Sequence, residues 1–219
     1  MKHSIRVAAI AAAIIATPAF ANESTDLSVT GSFVPSACQV SLSDGGRMNF
    51  GNVSMETFNA TGYTAVGTRQ VTLNLTCTSA APVAVAIADN RASSVIPGLV
   101  ADRVAGRTDA DAFGLGTDGT VNVGTYTLTM GALSANGETA GAISSTDNGA
   151  SWVASAGTTH YMGPTRIYTA ATAETTTPLP VTSLTSQIEA TVYANTLEAL
   201  PTNRRVDMDG SATLSIVYL

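Results

Sequence analysis

Apolar and polar residues alternate along most of this chain, and the period is two rather than three or four. In the stretch Gly210–Leu219, Ala212, Leu214, Ile216 and Tyr218 fall on one face and Thr213, Ser215, Val217 and Leu219 on the other. The same period runs through Leu27–Val40, where Pro35 marks a bulge or an edge position. It recurs in Arg69–Cys77, which sends Val71, Leu73 and Leu75 to one side, and in Ala81–Asn90. Thr120–Leu133 is the longest such run. Ser151–Ala156, His160–Ala170 and Ser186–Asn195 follow, and Arg47–Val53 reads as a short strand. Gly, Asn, Asp and Pro separate these segments, and helical periodicity is almost absent. The pattern predicts an all-β sandwich. Two stretches lack it: Arg91–Asp111 and Ala135–Trp152 are expected to be long surface loops.

The front of the chain breaks the pattern. A short basic region, "MKHSIR", precedes an apolar run too short to span a bilayer, and "AFA" at Ala19–Ala21 supplies a small–x–small cleavage site. Residues 1–21 are therefore expected to be a secretory signal peptide, and residues 22–219 one large exported domain. Export takes Lys2 and Arg6 away, leaving eight arginines, no lysine and sixteen acids, a net charge of −8. Such a balance argues against nucleic acid as a partner, because a phosphate backbone needs a basic patch. Two cysteines remain in the exported part, Cys38 and Cys77, and an oxidising compartment predicts that they pair.

The segments "LSVTGSFVPSACQVSL", "MNFGNV" and "VTLNLTC", with a last strand carrying Tyr second from its end, resemble a chaperone–usher fimbrial (pilin) subunit. The middle is similar to one branch, the fimbrial-subunit-like family known as domain of unknown function 1120. "AIADNRASS" (Ala86–Ser94), "FGLGTDG" (Phe113–Gly119), "GTYTLTM" (Gly124–Met130) and "DGSATLSIVYL" (Asp209–Leu219) carry that likeness. The resemblance implies an immunoglobulin-like sandwich that lacks its last strand. It also implies a place in a surface fimbria or fimbria-like assembly, reached through the periplasm. The implied partners are a periplasmic chaperone, an outer-membrane usher and other fimbrial subunits. Leu214, Ile216 and Tyr218 would form the edge that a chaperone or subunit strand complements. Leu27, Val29, Gly31 and Phe33 would serve either as a donor segment or as the permanent first strand. If they are the first strand, only Asn22–Asp26 remains ahead of it, too short and too polar to fill a groove.

Motifs that suggest chemistry give way to structural readings. "GLGTDG" (Gly114–Gly119) has the G-x-G-x-x-G spacing of a dinucleotide loop, but it opens a strand pattern rather than a helix and reads as a turn. "STDNGASW" (Ser145–Trp152) matches a sialidase-type Asp-box, in which Asp147 accepts bonds from loop amides and Gly149 supplies positive φ. One copy cannot build a propeller. "DMDG" (Asp207–Gly210) begins like a calcium loop without the glutamate such a loop needs. His160 is the one histidine of the exported part and reads as a surface or packing residue. No catalytic residue, metal or cofactor is expected. The alternative function is a self-contained secreted sandwich acting as an adhesin or glycan-binding module, with the two unpatterned stretches as its loops and a host or surface glycan as its partner.

Overall fold

A computed structural model of the 219-residue chain describes residues 25–33, 37–155, 157, 159–172 and 174–219. The expected signal segment, residues 1–21, lies outside the described residues. The chain divides into two units, Met1–Val34 and Pro35–Leu219. In the first, residues 25–33 form no strand, and Leu27, Val29 and Phe33 are exposed.

The second unit is all-β. Its strands in chain order are β1 (Cys38–Leu42), β2 (Thr64–Ala81), β3 (Val83–Asp89), β4 (Phe113–Gly114), β5 (Thr117–Asp118), β6 (Val121–Asn122) and β7 (Gly124–Met130). β8 (Leu133–Ala135), β9 (Glu138–Ser145), β10 (Val153–Ala154), β11 (His160–Met162), β12 (Ile167–Ala171), β13 (Val181–Ala194) and β14 (Ala212–Tyr218) follow. Twelve of them join in one hydrogen-bonded path, β1-β2-β13-β8-β9-β12-β3-β14, with β7 on β13, β4 and β11 on β7, and β10 on β9. β5 and β6 form a separate hairpin.

The path folds into two layers because the chain passes repeatedly from one to the other, twice through a short local connection. β2 passes into β3 across Pro82, which cannot donate to a ladder and so ends one strand before the next begins. β8 passes into β9 through Asn136-Gly137, both with positive φ, the two-residue turn whose twist matches a hairpin. One layer then holds β1, β2, β13, β7 and β8, and the other β9, β12, β3 and β14. Between them lie Leu73, Leu75, Val83, Val85, Phe113, Met130, Met162, Tyr168 and Val181, all buried.

Four expectations change, one being that Ala135–Trp152 is not a surface loop but contains β9, with Ala142, Ile143 and Ser145 buried. The run Leu27–Val40 is not one strand: β1 starts at Cys38. Cys38 pairs with Cys77, and β2 ends at Ala81, so it has four residues left to pair where Leu27 would need eleven. Leu27, Val29, Gly31 and Phe33 are thus not the first strand, and they lie outside the sandwich unit. Arg47–Val53 forms no strand. Arg91–Asp111 is no surface loop either. It contains a short helix, α1 (Leu99–Arg103), whose Leu99 and Val100 are fully buried, with Ile96 and Tyr193 packed beside Leu99 in a satellite core. Its far end is fixed by the buried carboxylate of Asp111, paired with Arg166 at 3.0 Å.

Candidate functional site: an open apolar cleft

The sheet path ends at β1 on one side and β14 on the other, and no ladder joins them among the described residues. At one end of this gap the two strands meet. The Cys38 amide donates to the Tyr218 hydroxyl at 2.9 Å, beside the Cys38–Cys77 disulfide that ties β1 to β2. The expected pairing of the cysteines is therefore present. Away from that end the gap widens into a cleft of about 200 Å³. Leu42, Met48, Phe50, Ala212 and Leu214 form half-buried walls, over a buried floor that includes Val71, Tyr126, Leu128 and Ile188. A second chamber of about 550 Å³ adjoins it, sharing Met48, Phe50, Leu115 and Met208. Arg204 and Arg205 lie on its rim, held by Asp118 and Asp207.

Local sequence explains why the cleft stays open. β1 stops at Leu42 because Asp44, Gly45 and Gly46 take left-handed φ and turn the chain away from β2. The next residues run beside β2 without joining its ladder, held where Arg69 donates to the Asn49 carbonyl at 2.9 Å and lies over the Phe50 ring. Opposite, β14 pairs with β3 in the register Leu214↔Ile87, Ile216↔Val85 and Tyr218↔Val83. Leu214 and Ile216 turn inward against the core, as their alternation predicts, while Tyr218 closes the narrow end and does not line the cleft.

Three of the quoted family stretches converge at the start of β14. The Asp89 carboxylate accepts the amides of Arg91 and Gly114, each at 2.8 Å, and the Ser94 hydroxyl accepts that of Gly116 at 2.9 Å. Arg91 pairs with Asp209 at 2.7 Å, and the Asp209 amide donates to the Leu115 carbonyl. Gly114 and Gly210 are glycines for want of space. A Cβ on Gly114 would lie 2.0 Å from the Arg91 carbonyl oxygen, and one on Gly210 would lie 2.8 Å from the Tyr126 ring. Burial first, then the nearby Asp89 charge, holds the Tyr126 hydroxyl above the ordinary phenol range. These motifs brace the cleft. "GLGTDG" itself leads into the β5–β6 hairpin, where no helix is available to hold a pyrophosphate.

The Asp-box stretch is a turn between β9 and β10. Asp147 accepts the Ser151 amide at 2.9 Å and the hydroxyls of Ser145 and Ser151, and Gly149 takes φ +91° with the Trp152 ring beneath it. Those bonds, the Ser145 and Ser151 hydroxyls first, lower the Asp147 carboxyl to about 2 from 3.8. Folding therefore favours the ionised form. Its contribution is complete above pH 3.8 and is lost as pH falls through about 2. Emission of Trp152, the chain's one tryptophan, should differ between wild type and Asp147→Asn at neutral pH. The two should converge as wild type is taken through about pH 2; a wild-type signal flat over that range would refute the assignment. His160 is buried on β11 opposite Met130, and burial lowers its pKa. Among the described residues no cluster of three or more metal-ligating side chains occurs.

Sequence reasoning located β14 but not the rest of the cleft. Leu42, Met48, Phe50, Leu115, Tyr126 and Met208 come from five separate segments, and no local pattern groups them. Comparison with known proteins adds a family. The uncharacterized protein YhcF of Escherichia coli K12 is 26% identical across 99% of this chain and all of its own length. Protein GltF of the same organism is 29% identical across all of this chain and 99% of its own length. The family described as protein of unknown function (DUF1120) matches residues 27–144, a span that begins at Leu27 and covers more than half of the sequence. The chain belongs to this family.

Proposed function

We propose that this protein is a structural subunit of a surface fimbria or fimbria-like assembly, exported and joined to its neighbours by β-strand complementation. One observation carries the reading: a sheet path that stops at two unjoined strands with an apolar cleft between them. A free strand edge beside an apolar floor is a template for an added strand, whose backbone pairs with the edge and whose alternate side chains fill the floor. Left uncovered, it is an aggregation hazard. The segment Leu27–Phe33 has the matching form: Leu27, Val29, Gly31 and Phe33 share one face of an extended chain and are exposed. Because β1 starts at Cys38, that segment is free to act as the donor. The proposed partners are a periplasmic chaperone that covers the cleft before assembly, an outer-membrane usher, and further subunits.

The test is expression with the signal segment in a periplasm, with and without a co-expressed periplasmic chaperone of the chaperone–usher type, followed by sizing. The expected result is a one-to-one complex with the chaperone and multimers or loss of protein without it. A stable, chaperone-indifferent monomer at all concentrations would overturn the proposal.

A further inference from the structure

We infer that the 200 Å³ part of the cleft is a socket for one aromatic side chain, and that the residue it selects is Phe33 of a second copy of this chain. The inference rests on the strand-addition reading and adds a specificity determinant to it. Size is the first argument. A cavity of about 150 Å³ lined by aliphatic side chains takes a benzene molecule. A socket of about 200 Å³ opening to solvent therefore admits a phenyl ring with its methylene, whereas a valine or leucine would leave it part empty. Wall chemistry is the second. Met48 and Met208 place adaptable, polarisable thioethers on the rim, and the Tyr126 ring lies in the floor, stacked on Phe113 with centroids 5.3 Å apart. Thioether and ring partners both favour an aromatic guest over an aliphatic one.

The occupant follows from the chain itself. Phe33 is the one aromatic residue between Asn22 and Val34, and it is fully exposed. Phe33, with Leu27 and Val29, which are 90% and 89% exposed, gives this segment an exposed apolar character that a partner would cover. Its spacing from Gly31, Val29 and Leu27 keeps all four on the side that would meet the cleft floor.

The experiment measures self-association of the full exported chain by sedimentation over a concentration series. Wild type, Phe33→Ala, Val29→Ala, Leu27→Ala, Ala212→Leu and the Phe33→Ala/Ala212→Leu pair are compared. Phe33→Ala should weaken association about 30-fold or more, the loss typical of a buried aromatic anchor, and the two aliphatic variants only a few-fold. Ala212→Leu, which narrows the socket, should weaken wild type, and its loss should not add to that of Phe33→Ala, as expected for two residues in contact. Phe33 belongs to the other unit, so at concentrations where the chain is monomeric its substitution should leave the melting temperature unchanged. If Phe33→Ala costs no more than Val29→Ala, or if the Ala212→Leu and Phe33→Ala losses simply add, the socket assignment is wrong while strand addition stands. If wild type does not self-associate at all, strand addition between copies falls, and the socket assignment with it.

Discussion

Cys38→Ser should lower the free energy of unfolding by roughly 2–5 kcal/mol, read from urea unfolding with the slope fitted separately for each protein, because the unbridged chain expands more on unfolding. The bridge spans 39 residues, and closing a loop of that size restricts the unfolded chain by roughly 4 kcal/mol in the entropy model. Position raises the stake. β1 is five residues long, has a ladder on one side only, and buries Cys38, Val40 and Leu42 only in part. Its first amide is also the group that meets Tyr218 across the gap. Losing the bridge therefore frees one wall of the cleft as well as the unfolded chain. An unfolding free energy within about 0.5 kcal/mol of wild type would show that the β1–β2 ladder alone holds this wall. Oxidised wild type, denatured, should present no free thiol.

What the sequence revealed and what it concealed divide along physical lines. β3, β7, β13 and β14 were legible because β-branched and aromatic residues alternate there over seven residues or more. β9 was not, because "ETAGAISS" offers small side chains with Ile143 as its one large apolar residue. A signal was present nonetheless: Asn136-Gly137 marks the hairpin that carries the chain between layers, and it lay unread within an expected loop. Arg91–Asp111 misled for another reason. A helix of five residues is too short to show a 3.6 period, and its burial comes from Ile96 and Tyr193, the latter almost a hundred residues away in sequence. At the front, the alternation changes phase at a boundary: Leu27, Val29 and Phe33 are odd-numbered, Val34, Cys38 and Val40 even. The amide that Pro35 lacks was the clue that donor-like segment and first strand are separate pieces. The cleft itself was half visible. Its β14 wall follows from local alternation, whereas its floor depends on which distant strands the topology brings together.

Deletion of Thr213–Leu219 should have the largest effect of any change considered, leaving no soluble protein in a periplasmic extract even when a chaperone is abundant. β14 ends the sheet path and, among the described residues, is the strand that pairs one edge of β3. Removing it uncovers the backbone from Val83 to Ala88 and opens the core at Val83, Val85 and Ile87, all now buried. It also strips Asn90 of the Thr213 hydroxyl, Pro82 of the Leu219 amide and Cys38 of the Tyr218 hydroxyl. Losing the burial of Leu214 and Ile216 and exposing Val83, Val85 and Ile87 on β3 forfeits up to roughly 1.5–3 kcal/mol for each apolar side chain, so at most about 8–15 kcal/mol for the five. The net stability of a domain is about 5–15 kcal/mol, so the loss is of the same size as everything available. An uncovered edge of that apolar character then pairs with other copies faster than it refolds. Tyr218→Phe separates the strand from its hydroxyl. It keeps β14 and its register but leaves the Cys38 amide without its partner, at a cost of about 1 kcal/mol. That variant should stay soluble and melt slightly earlier. If instead the truncated chain accumulates at wild-type level with a cooperative unfolding transition, β14 is not integral to the sandwich, and the cleft beside it cannot be the place where another strand completes the fold.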